Sequence, residues 1–214
     1  MDRWATFDCY GTLIDWNGGV GRELERLFGA ARVPELLHAY HEIEPEIQRA
    51  QPTATYRSVL DQTLARLGDV AAEESDAFSR SLPDWEPFPE VPAALEEARS
   101  RGWKLAILSN TDRDFIEASM ARIGVPFELA IVASEIGSYK PGHAHWQTFY
   151  ERTGADRAGH VHVGASLYHD VAPAQALGLR TVWVNRLGEE PEPRPDVELR
   201  TLAGLADALD SLVS

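Results

Sequence analysis

Apolar and polar positions follow two rhythms, and the change between them divides the chain. Ala5, Thr6 and Phe7 read as a short strand covered on both faces that runs out at Asp8, and Gly11 permits a turn that other residues resist. From there the spacing is helical. Val20, Leu24, Leu27 and Phe28 recur every three or four positions, and a second helix starts at Pro34 and carries Leu36, Leu37, Tyr40 and Ile43. Thr53 is expected to cap a third helix, which holds Tyr56, Val59, Leu60, Leu64 and Leu67 and stops at Gly68. A fourth is expected over Ala72 to Leu82. Residues 17–82 are thus predicted as an all-helical block.

Pro83, Pro87 and Pro89 mark a connector, and beyond it the rhythm changes. Helices predicted at Val91–Arg101, Asp114–Ile123, Ala144–Thr153 and Asp170–Leu177 alternate with strands at Lys104–Leu108, Leu129–Val132, His160–Val163 and Thr181–Val184. Val197–Leu199 and a helix over Leu202–Leu212 close the pattern. Such alternation means right-handed βαβ units, hence an α/β fold with a parallel sheet and helices on both faces. The helical block is an insertion after the first strand. Residues 1–16 and 83–214 form the core, and 17–82 a separate helical unit.

Composition narrows the function. With 214 residues and a net charge of -14, the chain is a poor match for nucleic acid or an anionic membrane. Its one cysteine, Cys9, leaves no internal disulfide and no cysteine zinc site. No run approaches the roughly 18 apolar residues of a membrane span, and the first residues lack a charged-then-apolar leader, so the expected location is the cytoplasm. His143 and His145 fall on different faces of a helix and read as a solvated helix start. His160 and His162 share one face of a strand and read as structural. Arg113 reads as a surface residue.

Ligands of open α/β sheets bind outside the carboxyl ends of the strands. The first strand delivers Asp8 there, the second Ser109 and Asn110, and the fourth the stretch from Gly164 to Asp170. Lys140 arrives from the loop before a helix. A nucleophile, hydroxyl and amide donors, a cation and a second carboxylate therefore converge.

Asp8-x-Tyr10-Gly11-Thr12, then Leu108-Ser109-Asn110, then Tyr139-Lys140-Pro141, then Asp170 before a small-residue helix resemble the ordered motifs of the haloacid dehalogenase superfamily. The helical block is similar to that superfamily's cap domain. The resemblance implies a Rossmann-like core and a hydrolase that works through a covalent aspartyl intermediate. Phosphatases of the superfamily carry a second Asp two residues after the nucleophile, where this chain has Tyr10, and a magnesium-binding Asp at the position of Ala165. An alkoxide leaving group needs a proton and a halide does not. The resemblance is accordingly to the 2-haloacid dehalogenase branch. That branch implies no cofactor and no metal, a small 2-substituted carboxylic acid as substrate, and a homodimer.

In that reading Asp8 attacks the carbon beside the substrate carboxylate, and Thr12 orients it. Lys140 keeps Asp8 ionised and binds the carboxylate. Ser109 binds substrate, Asn110 faces the leaving group, and Asp170 holds Lys140 or activates water. Cys9, Tyr10, His41, Trp146 and Ser166 are expected around the substrate, although the Cys9 side chain suits packing. His169, beside Asp170, is placed to relay a proton. The chain departs from the branch at His41, where an Arg is usual, at Trp146, where a Tyr is, and at Leu167, where an Asn is. These departures predict an altered leaving-group pocket, suited to fluoride or to a strained ring acid. Two other readings stay open: a magnesium-dependent phosphatase that tolerates Tyr10, and a lapsed homologue that binds ligand without turnover.

Overall fold

The computed structural model describes residues 2–213. Six parallel strands form one sheet: β1 (Arg3–Phe7), β2 (Trp103–Ser109), β3 (Leu129–Val132), β4 (His160–Gly164), β5 (Arg180–Val184) and β6 (Val197–Leu199). Their order is β3-β2-β1-β4-β5-β6. β1 is central and is buried from Trp4 to Phe7, with Ala5 and Phe7 fully buried. The chain builds outward from β1 through β2 to β3, then crosses to β4 on the other side. Loops after β1 and β4 therefore diverge and open a crevice at the strand ends.

The helices of the first rhythm are α1 (Trp16–Phe28), α2 (Val33–Ala50), α3 (Tyr56–Leu67) and α4 (Ala77–Ser81). They lie between β1 and β2 in sequence, as the pattern predicts. Asp15 caps α1 by accepting from Gly18 N at 2.9 Å. The cap of α3 is Thr55 rather than Thr53: its backbone is extended and its hydroxyl accepts from Ser58 N at 3.2 Å. The predicted helix over 72–82 is instead a run of short turns around α4, because Ser75 and Asp76 interrupt it and only Ala77, Phe78 and Leu82 anchor apolar surface.

The other helices are α5 (Val91–Ser100), α6 (Arg113–Ile123), α7 (Ala133–Ile136), α8 (Ala144–Thr153), α9 (Ala172–Ala176) and α10 (Leu205–Leu212). The sequence pattern does not announce α7. Asp170, expected to start a helix, lies in a wide π-type turn over Leu167–Val171 that leads into α9. Arg113 is more than a surface residue, since it pairs with Glu135 and donates to Ala130 O at 2.8 Å. Among the described residues no helix is long and apolar enough to cross a membrane.

One carboxylate ties the inserted helices to the sheet. Asp112, after β2, accepts from Tyr56 N at 3.0 Å and Arg57 N at 2.9 Å, the first amides of α3. Those amides have no intrahelical acceptor, and the helix dipole favours an anion there. Asp112→Ala is expected to lower stability by about 1–2 kcal/mol in chemical denaturation, the usual cost of losing a helix cap.

Candidate active site

Asp8 extends β1 by one residue, its amide donating to Val163 O of β4 at 2.9 Å. Its side chain therefore stands over the crevice. Gly11, at φ 88°, turns the chain back so that Thr12 Oγ1 donates to Asp8 Oδ2 at 2.8 Å. The same hydroxyl accepts from Ala165 N at 2.9 Å, which links the loops after β1 and β4. Lys140 Nζ donates to Asp8 Oδ1 at 2.9 Å and to Asp170 Oδ1 at 2.6 Å. One of its three N–H groups is left for a substrate. Gly164 makes room for Asp170, since a side-chain carbon there would come within 2.5 Å of the Asp170 carboxyl.

Asp170 is held from three sides. Lys140 and Ser166 N (3.2 Å) donate to it, and His162 Nε2 lies 3.5 Å away. Burial keeps His162 neutral, so if Nε2 carries the proton, Nδ1 must accept from Thr6 Oγ1 at 2.8 Å. Thr6 then accepts from His160 Nε2 at 2.8 Å, and His160 Nδ1 accepts from the Tyr150 hydroxyl at 2.6 Å. His160 and His162 are thus satisfied structural histidines, and one of them touches the site.

A cavity of about 210 Å³ covers these groups. That is below the roughly 300–1,000 Å³ of pockets for drug-sized ligands, so the occupant is small. Its floor is Asp8, Ser109, Asn110, Lys140, Ser166, His169 and Asp170, and its roof comes from Trp16 and from His41, Glu44, Pro45 and Gln48 of α2. Tyr10 and Tyr56 close the side. The Ser109 hydroxyl is buried without a partner, which leaves it free for a ligand. Asn110 reaches the cavity, but its amide group is largely engaged by the Lys140 backbone. Its Nδ2 donates to Lys140 O at 3.0 Å and its oxygen accepts from Lys140 N at 2.6 Å. Tyr10 presents its ring to the cavity, while its hydroxyl bonds Ser119 Oγ at 3.0 Å.

Two expected substrate neighbours are elsewhere. Trp146 is fully buried in a second apolar cluster with Trp4, Leu108 and Phe149, its ring 5.0 Å from His162. It packs behind His162 rather than at the cavity wall. The Cys9 side chain points into the main core, because successive side chains alternate along an extended segment and Asp8 takes the open face.

Burial lifts the Asp8 carboxyl to about 6; the Lys140 ammonium opposes this and the Asp170 charge adds to it. Burial also pushes Asp170 up, but Lys140 and His162 outweigh it and hold that carboxyl well below the ordinary range. Between the two carboxylates Lys140 stays protonated despite its burial. Burial lowers His169 to about 4, so at neutral pH it is an uncharged imidazole bonded to Ser166.

A sequence model of the haloacid dehalogenase-like hydrolases matches residues 3–178. The chain belongs to this family. It is 29% identical to an (S)-2-haloacid dehalogenase of Pseudomonas sp. strain YL, over 96% of this chain and 93% of that one. It is 33% identical to a phosphoserine phosphatase of Thermus thermophilus, over 65% of this chain and 58% of that one. Its fold matches the L-2-haloacid dehalogenase of Xanthobacter autotrophicus with chloropropionic acid covalently bound, at a TM-score of 0.85 and 21% identity, over 98% of this chain and 99% of that one.

The donor set of this dehalogenase-like hydrolase does not fit magnesium, which needs near-octahedral oxygen ligands. Asp8 Oδ1 faces an ammonium, Asp8 Oδ2 faces Thr12, Asp170 is engaged by Lys140, and Ala165 offers no side-chain oxygen. Among the described residues no group of three His, Cys, Asp or Glu side chains could hold a metal ion.

Sequence reasoning missed several residues of the hydrolase's site, Pro45 of the roof among them. His145 is fully buried rather than solvated, and its Nε2 lies 3.1 Å from Ser109 O. Glu44, Gln48 and Tyr56 line the cavity unforeseen. His41, Glu44 and Gln48 stand at i, i+3 and i+7 of one helix, so a polar stripe on a face that ought to be buried was the available signal.

Proposed function

We propose that this hydrolase displaces a halide from C2 of a small carboxylic acid through an aspartyl ester on Asp8. The observation that carries the reading is the Lys140 ammonium between Asp8 and Asp170, with the Tyr10 hydroxyl turned onto Ser119. The nucleophile is thereby paired with a fixed cation, and no acid stands two residues beyond it to protonate an alkoxide.

An Asp8 oxygen bonds C2 as the carbon-halogen bond breaks and its pair leaves on the halide. Ser109 and the remaining Lys140 N–H hold the substrate carboxylate. Water then attacks the Asp8 ester carbonyl and the Cγ–O bond to the product breaks. One water proton ends on the departing hydroxyl of the product and the other is released to solvent, which restores the Asp8 carboxylate. The amides of Cys9 and Tyr10, which donate to no protein acceptor among the described residues, suit the oxyanion. Asp170, whose carboxyl is held low, is a poor base and serves as the anchor of Lys140. In this reading the helices of 17–82 act as the cap over a catalytic core of 1–16 and 83–214.

The test is a panel of 2-haloacids under single-turnover conditions in ¹⁸O-water. The label is expected in the Asp8 carboxylate before it reaches the hydroxyacid product. Chelator-sensitive hydrolysis of a phosphate ester, with unlabelled Asp8 in the haloacid experiment, would overturn the proposal in favour of a phosphatase.

A further inference from the structure

Glu44 has no part in the displacement above, yet it is a buried carboxyl in the cavity wall with no cation paired to it among the described residues. It sits on α2 at 4% exposure and faces the same cavity as Asp8. Its side-chain partners are Gln48, whose Nε2 donates to Glu44 Oε1, and the Tyr56 hydroxyl, which also favours the carboxylate. Gln48 Oε1 in turn lies 3.5 Å from Asn110 Nδ2, which orients the pair against the floor of the site.

Charge counting fixes the state of Glu44. Asp8 and Asp170 are negative, Lys140 is positive, and of the residues lining the cavity Lys140 alone carries an ammonium or guanidinium. A substrate carboxylate adds another negative charge. An ionised Glu44 would then be one more buried anion without a counter-charge, which is strongly unfavourable. Burial lifts its carboxyl to about 7 even though the Gln48 and Tyr56 hydrogen bonds oppose the rise. With substrate present Glu44 is the neutral acid. Because Oε1 accepts from Gln48, the proton is on Oε2.

The roof holds no cation, and its buried unpartnered N–H is the Trp16 indole Nε1. His41 is shifted toward the neutral form by burial, and its ring packs edge-on against Trp16 with centroids 4.8 Å apart. The leaving group therefore departs beneath a carboxylic O–H rather than beneath a cation.

We propose that Glu44 determines leaving-group specificity: its O–H donates a hydrogen bond to the departing halide and so favours fluoride over heavier halides. This rests on the covalent-displacement reading. The Asp8–C2 bond forms, the C–F bond breaks, the pair leaves on fluoride, and Glu44 keeps its proton throughout. Fluoride is small and its charge concentrated, so it gains most from one short hydrogen bond in a water-poor site. Bromide is diffuse, leaves readily and gains little.

The test compares kcat/KM for fluoroacetate and bromoacetate in the wild type, Glu44→Gln and Glu44→Ala. Removing one donor to a developing anion typically costs about 10²–10³-fold. Fluoroacetate turnover is expected to fall about 100-fold in Glu44→Ala and about 10-fold in Glu44→Gln, which keeps a weaker N–H donor. Bromoacetate turnover is expected to fall less than about fivefold in both. Loosened packing would lower both substrates together, and such an equal fall in the near-isosteric Glu44→Gln would overturn the proposal. So would a wild type that turns over bromoacetate with label in Asp8 but leaves fluoroacetate untouched. A wild type that acts on neither, with no label in Asp8, defeats the displacement reading and this proposal with it.

Discussion

Asp8→Asn is expected to abolish turnover and, at pH 8, to leave the protein more stable than the wild type. Losing the nucleophile of a covalent mechanism costs at least about 10⁴-fold in kcat. The stability gain follows from the sign of the Asp8 shift. Its carboxyl titrates near 6 in the folded chain, above the ordinary 3.8. Between those values the folded state holds a proton that the unfolded state has released. The contribution of Asp8 to stability therefore falls as pH rises through this window, and its full cost is present above about 6. A neutral amide removes that cost, a gain on the order of 2 kcal/mol at pH 8. Turning the Thr12 hydroxyl to accept from the new amide offsets part of it. Urea denaturation should show the advantage of Asp8→Asn at pH 8 and its disappearance near pH 4. Wild-type kcat/KM should fall as pH drops through about 6, because a protonated Asp8 cannot attack.

The floor of this site was legible because each of its groups is fixed by local chain features. A buried apolar run ends at Asp8, a glycine turns the chain, and parallel strands deliver their last residues to one edge. Asp8, Thr12, Ser109, Asn110, Lys140 and Asp170 all arrive there. The roof was harder to foresee because it depends on which face of α2 meets the crevice, and that is a matter of tertiary packing. Glu44 and Gln48 look like ordinary polar helix residues until α2 is docked. Trp146 shows the limit of arguing by position, since a correspondence along the chain does not say which side of the sheet a side chain chooses. His145 was misjudged for a related reason: a helix start exposes one face, and His145 lies on the other, under Ser109.

Lys140→Met is expected to damage both the fold and the chemistry, and a second substitution separates the two. The Lys140 side chain is 1% exposed and bridges one carboxylate at 14% exposure and another at 1%. Removing it leaves two anions facing each other with no counter-charge. Breaking a buried pair from one side typically costs about 3–5 kcal/mol, because the stranded charge is the penalty. Adding Asp170→Asn removes one of the stranded charges. The double variant should recover more than half of the lost stability, a coupling that a double-mutant cycle reads directly. Activity should not recover. Without the ammonium only the Thr12 hydroxyl opposes the burial of Asp8, its carboxyl rises further, and at neutral pH the nucleophile is largely protonated. Turnover is expected to stay down by about 10³-fold or more in both variants, as for removal of other charged partners of a nucleophile. If instead Lys140→Met unfolds at the wild-type urea midpoint, the bridge is not what holds these carboxylates together, and the pairing of Asp8 with a fixed cation loses its basis.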